Sequence, residues 1–454
     1  MTVCLPDGFL VAWYGDDFTG SAAVMEVLTF AGLLSVLFLA PPTADDLRRY
    51  DGVRGIGIAS TARAQSPAWM DQHLPEPFNW MKRSTAQICH YKTCSTFDSA
   101  PHIGSIGRAA DIGQRVFAGS FIPMLIAAPA IRRYQAFGHL FAGAGDGVFR
   151  LDRHPVMARH PVTPMAEADV TRHLAAQTGQ RIRLIDCEAL ASDDAATRSL
   201  EAALADGPAI VACDTMNDDE LARVGALIWR NRHRGRFVLG SQGIEYALIA
   251  FFRREGWLPA AVPPAPFGRV DLLPVVSGSV SPTTAQQIAH AAQSGFRVLP
   301  LDATRLLAGP TSTAACIDEA VSAALGCMAD GASPLICSAQ GPDDPAVAAF
   351  RAAVAHHGVD ETQANAALGS ALGTILKRII DQSGVMRAVV SGGDTSGAVT
   401  QQLGVRALTA LGTTTPGAAL FCADRGADRK PIELALKGGQ MGATGLFRHL
   451  RDGQ

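Results

Sequence analysis

Short apolar runs alternate with longer alanine- and leucine-rich stretches along the whole chain. The apolar runs are typical of buried β-strands and lie at 9–14, 35–39, 53–58, 122–127, 209–213, 236–239, 273–276, 334–337, 387–391 and 432–436. The longer stretches predict helices at 21–32, 44–50, 167–177, 195–205, 218–230, 243–254, 283–294, 315–329, 345–356, 366–382 and 396–402. Continuous apolar strands that alternate with helices are typical of parallel sheets. The pattern predicts an α/β fold: two α/β domains with mainly parallel sheets and an interdomain cleft.

A proline-rich segment interrupts this alternation. Four prolines fall within GWLPAAVPPAPFGRV at 256–270, and prolines stiffen a connection between domains. We therefore expect a first domain over 1–258, a linker over 259–271 and a second domain over 272–454.

Composition and charge narrow the class of protein. The chain has 454 residues, 48% hydrophobic, with 39 Lys+Arg against 42 Asp+Glu. This composition excludes intrinsic disorder, and the near-neutral balance argues against a nucleic-acid binder. The nine cysteines include no C-x-x-C pair, and no second ligand pair follows the cluster of Cys89, His90 and Cys94, so we expect no protein metal site.

No targeting or membrane segment is recognisable in the sequence. The N-terminal residues lack a basic region, and no segment reaches the roughly 20 apolar residues of a membrane span. We expect a cytoplasmic protein in a reducing environment, with no membrane partner; a homo-oligomer is left open.

An acidic turn follows the first predicted strand. Its sequence is GDDFTGS at 15–21, and ligands of parallel α/β sheets bind beyond the carboxyl ends of the strands. Asp16 and Asp17 could hold the hydroxyls of a polyol, and one of them could act as a base toward a hydroxyl. The alternative is that Asp17 only caps the next helix and Asp16 is solvated.

Three turns in the second half of the chain suit phosphate groups. They are SGSVS at 277–281, SGGDTSG at 391–397 and KGGQMG at 437–442. Glycines let an anion approach the backbone, and the start of a helix offers free N–H groups. Simple helix capping is the alternative. The residues that we expect to contact the nucleotide are Ser279, Ser281, Gly392, Gly393, Asp394, Thr395, Lys437, Gly438 and Gly439, with Asp394 reaching a ribose or a metal-bound phosphate.

A polar segment, HYKTCSTFDS at 90–99, suits a hydroxylated acid. Lys92 would supply a charge for a carboxylate, and Ser95, Thr96 or Asp98 would pair with hydroxyls. Arg63 would be a second anion contact. The alternative is an ordinary polar loop.

Two familiar nucleotide motifs are missing from the sequence. There is no G-x-x-x-x-G-K-[ST] and no G-x-G-x-x-G that opens a βαβ unit. GAGD at 143–146 has the wording of ribokinase-type sugar kinases, but no recognisable long helix follows it. We therefore do not expect Asp146 to be a catalytic base.

Taken in order, these motifs resemble the four-carbon acid sugar kinase family over nearly the whole chain. Two further segments match the family, HPVTP at 160–164 and DTMNDD at 214–219. The resemblance implies an N-terminal sugar-acid domain and a C-terminal ATP-binding domain, with ATP and Mg²⁺ as cofactors. It also implies that Asp16, Asp17, Arg63 and Lys92 face the sugar acid, with Asp17, Asp16 or Asp394 as the catalytic acid–base group.

One departure from the family pattern concerns the substrate. Many members have K-x-D-S-T-x-R-G-N where this chain has KTCSTFDS at 92–99, so Cys94 replaces an aspartate and Asp98 replaces an arginine. Aspartate cannot hold a carboxylate as arginine does, and a different acid is therefore expected. The sequence of this segment resembles that of a branch of the family that acts on 3-oxo-isoapionate, a branched acid.

The resulting hypothesis is an ATP-dependent kinase that phosphorylates a hydroxyl of a small sugar acid. Two rival hypotheses remain at this stage. An NAD(P)-dependent sugar-acid dehydrogenase could use the glycine turns for a pyrophosphate, and a non-enzymatic sugar-acid sensor could use a two-domain cleft.

Overall fold

A computed structural model describes residues 5–160, 162–260, 266–412, 414 and 418–453, apart from the side chain of Asp394. The chain divides into two compact units, Met1–Pro263 and Pro264–Gln454. The predicted linker at 259–271 spans this division, and its residues 261–265 lie outside the described part.

The first unit is built on a parallel sheet. The strands described in this unit are β1 (Val11–Gly15), β2 (Ser35–Phe38), β3 (Gly55–Ala59), β4 (Ile88–Lys92), β5 (Phe121–Leu125), β6 (Arg133–Ala136), β7 (His139–Ala144), β8 (Gly147–Arg150), β9 (Ile182–Ile185), β10 (Ala209–Cys213) and β11 (Phe237–Gly240). Eight of them pair in parallel in the order β2-β3-β1-β4-β11-β5-β10-β9. The other three form a separate antiparallel sheet, β6-β7-β8.

Helices follow most strands of this unit. They are α1 (Phe18–Phe30), α2 (Ala44–Arg48), α3 (Pro67–His73), α4 (Pro75–Arg83), α5 (Ile106–Phe117), α6 (Val170–Ala175), α7 (Asp193–Leu204), α8 (Asp218–Arg230) and α9 (Gly243–Arg254). The central strands carry side chains that are almost wholly buried, including Trp13, Tyr91 and Phe237. Burial of both sheet faces explains why these strands appear in the sequence as continuous apolar runs.

The second unit contains a mixed sheet. Its strands are β12 (Val275–Ser277), β13 (Phe296–Pro300), β14 (Ser333–Cys337), β15 (Arg387–Ser391), β16 (Ala407–Gly412), β17 (Leu420–Asp424) and β18 (Ile432–Lys437). The order is β13-β14-β12-β15-β18-β17-β16, parallel from β13 to β18 and antiparallel from β18 to β16. Its helices are α10 (Pro282–Ala292), α11 (Pro310–Ala329), α12 (Pro345–His357), α13 (Glu361–Ser383), α14 (Gly393–Gln402) and α15 (Leu446–Asp452).

These sheets confirm the predicted α/β class with mainly parallel strands. The bounds of β10, β15, α8 and α9 agree with the prediction to the residue. Strand β4 was not predicted, because His90 and Lys92 interrupt its apolar run, although both side chains are buried. GAGD at 143–146 lies at the β7–β8 hairpin, and a strand, not a long helix, follows it directly. Among the helices described, none combines the length and apolar composition needed to cross a membrane.

Close packing of α8 against α9 depends on Gly225. A Cβ atom at this position would lie 2.0 Å from the carbonyl oxygen of Ala247. We expect Gly225→Ala to lower the free energy of unfolding by about 1–3 kcal/mol, because overpacking forces backbone to shift. Gly326→Ala is the matched control, since a Cβ in that exposed position of α11 meets no atom within 4 Å. Gly326→Ala should raise the free energy of unfolding by up to about 1 kcal/mol. Equal changes for the two variants in urea unfolding would contradict the close packing at Gly225.

Candidate functional site

The acidic turn of the first unit lies where β1 gives way to α1. Asp16 is 1% exposed, and its main-chain N–H donates to the carbonyl of Lys92 at 2.9 Å. Asp17 is the N-cap of α1, and its Oδ1 accepts the N–H of Gly20 at 3.0 Å. Thr19 donates its hydroxyl to the other carboxylate oxygen of Asp17 at 2.9 Å. The predicted cap is therefore present, but the cap accounts for only one of the two acids.

Arg63 joins the two carboxylates. Its Nη2 lies 2.7 Å from Oδ1 of Asp16 and 2.9 Å from Oδ1 of Asp17. Its main-chain N–H also donates to the carbonyl of Asp16 at 2.9 Å. Arg63 was predicted to contact an anionic ligand; the structure pairs it first with the protein's own acids.

The two acids titrate in opposite directions. Burial raises the pKa of Asp16, although the nearby guanidinium of Arg63 opposes this rise. Burial also acts to raise the pKa of Asp17, but the charges of Arg63 and Lys92 and the hydrogen bonds from Thr19 and Gly20 outweigh it, so the pKa is lowered. Asp17 is thus ionised at neutral pH, and its side chain is 22% exposed. It is the acid of this pair that a ligand can reach.

Lys92 ends β4 directly beside this turn. Gly15 and Lys92 are partners in the parallel ladder, and the ammonium donates to the carbonyl of Thr93 at 2.5 Å. A Cβ on Gly20 would lie 2.8 Å from Nζ of Lys92 and 2.3 Å from Oδ1 of Asp17. The glycine therefore lets the lysine and the aspartate approach each other.

The loop after β4 carries the residues that depart from the family pattern. Thr96 donates its hydroxyl to Asp98 at 2.7 Å, and the thiol of Cys94 lies 3.0 Å from the same hydroxyl. Burial, with the charge of Asp98 in addition, raises the pKa of the Cys94 thiol to about 11, so it stays protonated. Phe97 has a φ of +57°, which turns the chain between Thr96 and Asp98. Ser95 is half-buried in the same loop.

In the second unit, three adjacent strands end in polar residues that lie side by side. Ser277 pairs with Ser391, and Ser391 pairs with Lys437. All three side chains are buried. The ammonium of Lys437 donates to Thr284 Oγ1 at 2.9 Å, to Ser391 Oγ at 3.1 Å and to the carbonyl of Gly439 at 3.3 Å.

Each of these three partners of Lys437 is electrically neutral. Burial lowers the pKa of Lys437 to about 7, because hydrogen bonds to neutral oxygens offset only part of the desolvation of an ammonium. A ligand anion would supply the missing negative charge.

The three glycine turns meet at this lysine. A Cβ atom on Gly278 would lie 2.3 Å from Oγ1 of Thr395, and one on Gly392 would lie 2.9 Å from the same oxygen. A Cβ atom on Gly439 would lie 2.8 Å from Oγ of Ser279. Gly392 has a φ of +122° and is the N-cap of α14, so the free N–H groups of that helix start here. The arrangement suits a phosphate, since N–H groups and an ammonium converge on one place.

Most of the phosphate-binding candidates are brought together here. Ser281 is the N-cap of α10 and accepts the N–H of Thr284 at 3.1 Å; its hydroxyl also donates to the carbonyl of Gly439. Gly393 opens α14, and Gly438 follows β18. The side chain of Asp394 lies outside the described part of the structure.

Two residues of this site, Thr284 and Ser391, were not predicted from the sequence. Both hold the ammonium of Lys437. Ser391 ends an apolar strand, as Ser277 does, and a hydroxyl in that position is the signal that could have identified it.

Comparison with known protein families matches both units. Residues 11–248 match the model of a sugar-binding N-terminal domain. Residues 274–447 match the model of a nucleotide-binding C-terminal domain. Together the two matches cover most of the chain.

Curated relatives align over almost the full length. A 3-oxo-isoapionate kinase from Paraburkholderia graminis is 44% identical over 451 residues, which are 99% of this chain and 95% of the relative. A 3-oxo-tetronate kinase from Methylobacterium radiotolerans is 32% identical over 441 residues, 96% of this chain and 97% of the relative.

A solved structure shares the fold. It is a Salmonella typhimurium protein described as a putative tRNA synthase, with a TM-score of 0.78, 25% identity, and coverage of 98% of this chain and 99% of that one. A Haemophilus influenzae structure has a TM-score of 0.70 at 22% identity and covers 97% of this chain and 99% of its own.

The acidic turn generates a stability prediction. Arg63→Met leaves the two carboxylates without their shared cation, and removing one partner of a buried ion pair costs about 3–5 kcal/mol. We expect the lower end, about 3 kcal/mol, because a quarter of the Arg63 side chain is exposed. Arg83→Met, on an exposed position of α4, is the control and should change the free energy of unfolding by less than about 0.5 kcal/mol. Similar urea midpoints for the two variants would contradict the pairing.

Proposed function

The chain belongs to the four-carbon acid sugar kinase family, and we propose that this ATP-dependent kinase acts on a branched 3-oxo sugar acid such as 3-oxo-isoapionate. The full-length similarity to a relative named for that substrate carries the proposal. The loop with Cys94 and Asp98 supports the proposal, because many members of the family have an aspartate and an arginine at these two positions.

We assign the sugar acid to the first unit and ATP to the second. Asp17 offers a carboxylate at the end of the parallel sheet, and the buried ammonium of Lys92 adds positive charge close to it, which suits a ligand with hydroxyls and a carboxylate. Lys437 and the N-terminus of α14 offer positive charge and N–H groups, which suit the phosphates of ATP.

Mg²⁺ is proposed to arrive with the nucleotide. The groups described at the glycine turns are main-chain N–H groups, hydroxyls and an ammonium, which suit the phosphates of a nucleotide. Mg²⁺ commonly keeps several waters and binds through substrate phosphates and one or two carboxylates. When bound, it would neutralise charge that develops on the transferred phosphoryl group.

Asp17 is the acid that we assign to the reacting hydroxyl. In the proposed transfer, the hydroxyl oxygen bonds to the γ-phosphorus of ATP, the bond to the β–γ bridging oxygen breaks, and Asp17 accepts the hydroxyl proton. Phosphoryl transfer relies mainly on positioning and charge neutralisation, so an ionised acid with a lowered pKa can serve. Asp16 is almost wholly buried, and we assign it a supporting role.

A coupled ADP-release assay tests the proposed function. Purified protein would be given ATP, Mg²⁺ and a panel of threonate, erythronate, 3-oxo-tetronate and 3-oxo-isoapionate. We expect the highest kcat/KM with the branched 3-oxo acid. Preferred turnover of a straight-chain acid would overturn the substrate assignment, and no ADP with any acid would overturn the kinase.

Asp17→Asn tests the role of the acid. Asparagine caps a helix as well as aspartate does, so the variant removes the charge and preserves the cap. We expect kcat to fall by about 10²–10⁴-fold, the usual contribution of a general base, with the KM for ATP unchanged. Asp344→Asn is the matched control, since Asp344 caps α12 and should leave kcat unaltered. An unchanged kcat in Asp17→Asn would remove Asp17 from the mechanism.

Lys437 gives ATP binding a predictable pH dependence. Its pKa is about 7 in the free protein, and bound phosphates would raise that pKa, so binding above pH 7 takes up a proton. The Kd for ATP should therefore rise from pH 7 to 9, by up to about tenfold per unit. Lys437→Met should bind ATP more weakly and lose this dependence. Calorimetry at constant Mg²⁺ measures the Kd for ATP of each protein at each pH. Identical pH profiles of the Kd for wild type and Lys437→Met would contradict the assignment of Lys437 to the phosphates.

A further inference from the structure

One side chain of α10 binds the main chain of the loop that follows β18. Nε2 of Gln287 donates to three successive carbonyls, at 3.1 Å to Met441, 3.0 Å to Gly442 and 3.1 Å to Ala443. The Gln287 side chain is fully buried, and its amide has two N–H hydrogens for these three acceptors. Three successive carbonyls of the loop 438–444 therefore face α10.

These acceptors determine the orientation of the Gln287 amide. Its Oε1 is buried and has no donor among the described residues. The reversed amide would place Oε1 against three carbonyl oxygens, which cannot donate a hydrogen bond. A Cβ atom on Gly442 would lie 3.1 Å from Nε2 of Gln287, so the glycine lets the amide come this close to the main chain.

Two hydroxyls of the same helix hold the beginning of the loop. Ser281, Thr284 and Gln287 are spaced three residues apart, which places them on one face of the helix. The hydroxyls of Ser281 and Thr284 both donate to the carbonyl of Gly439, that of Thr284 at 2.9 Å. Four carbonyls of the loop thus accept hydrogen bonds from one face of α10.

Peptide geometry then turns N–H groups of the loop away from α10. Within a trans peptide unit the C=O and N–H bonds point in opposite directions, and the described residues include no cis peptide bond. The four units whose carbonyls face α10 carry the N–H groups of Gln440, Gly442, Ala443 and Thr444. Among the described residues, none of these N–H groups has an acceptor, and all but Gly442 belong to exposed residues. They are available to an anion.

We propose that Gln287 is a positioning residue of the ATP site, which holds the carbonyls of the loop 438–444 against α10 so that the N–H groups of the loop bind a phosphate of ATP. This inference rests on the proposed function, which assigns the phosphates to the second unit. Main-chain N–H groups of a turn are a common anion-binding arrangement. A loop that is already oriented loses less conformational freedom when the nucleotide binds. Gln287 acts through the loop and not by contact with the nucleotide.

Gln287→Met tests the positioning role. Methionine has a similar length and lacks the amide, so the three carbonyls lose their donor. We expect the KM for ATP to rise roughly fivefold to a hundredfold, the effect of losing one or two hydrogen bonds, with the KM for the sugar acid unchanged. In the absence of ligands, mass spectrometry should show faster amide exchange at 438–444 and unchanged exchange at 391–397.

Gln286→Met is the matched control. Gln286 is the exposed neighbour of Gln287 on α10, so the variant makes the same chemical change on the solvent side of the same helix. Both KM values and the exchange at 438–444 should equal those of the wild type.

The wild-type chain supplies a second measurement that does not depend on the folding of a variant. Electron-transfer fragmentation resolves hydrogen exchange at single residues. A non-hydrolysable ATP analogue should slow exchange of the N–H groups at 440 and 442–444. The N–H of Met441 already donates to the carbonyl of Gly438 at 3.1 Å, and its exchange should change least.

The outcomes distinguish this inference from the proposed function. An unchanged KM for ATP in Gln287→Met, an equal rise in the KM for the acid, or an equal rise in Gln286→Met would overturn the inference alone. Binding of the analogue to the wild type without slower exchange at 440 and 442–444 would also overturn it. No ATP binding by the wild type would overturn the proposed function, and this inference with it.

Discussion

Parallel strand alignment determines where the polar groups of both units lie. The carboxyl ends of parallel strands meet at one edge of a sheet, so the last residue of one strand lies beside the last residue of its neighbour. Gly15 thereby pairs with Lys92 in the first unit, and Ser277, Ser391 and Lys437 pair across three strands of the second. Residues far apart in the sequence reach hydrogen-bonding distance without a contiguous motif.

The two units differ in how they stabilise buried charge. In the first, the guanidinium of Arg63 bridges Asp16 and Asp17, so the acids are compensated within the protein. In the second, Lys437 is surrounded by neutral oxygens and its pKa falls to about 7. A compensated cluster can orient a neutral hydroxyl, whereas an uncompensated cation favours an anionic ligand. This contrast agrees with a sugar acid in one unit and a nucleotide in the other.

The sequence predicted the fold class and most turns, because buried parallel strands are continuous apolar runs and glycines mark their ends. It could not predict β4, since a buried histidine and a buried lysine look like loop residues. His90 is accommodated because Glu245 lies 2.7 Å from its Nδ1, a contact between residues distant in sequence.

Hydrogen exchange measured by mass spectrometry most directly tests the division of ligands between the units. A non-hydrolysable ATP analogue and the sugar acid would be added separately to the full chain. We expect the analogue to slow amide exchange in the turns at 277–281, 391–397 and 437–442, and the sugar acid to slow exchange at 15–21 and 92–99. Protection of the acidic turn by the analogue, or of the glycine turns by the sugar acid, would contradict this division of ligands.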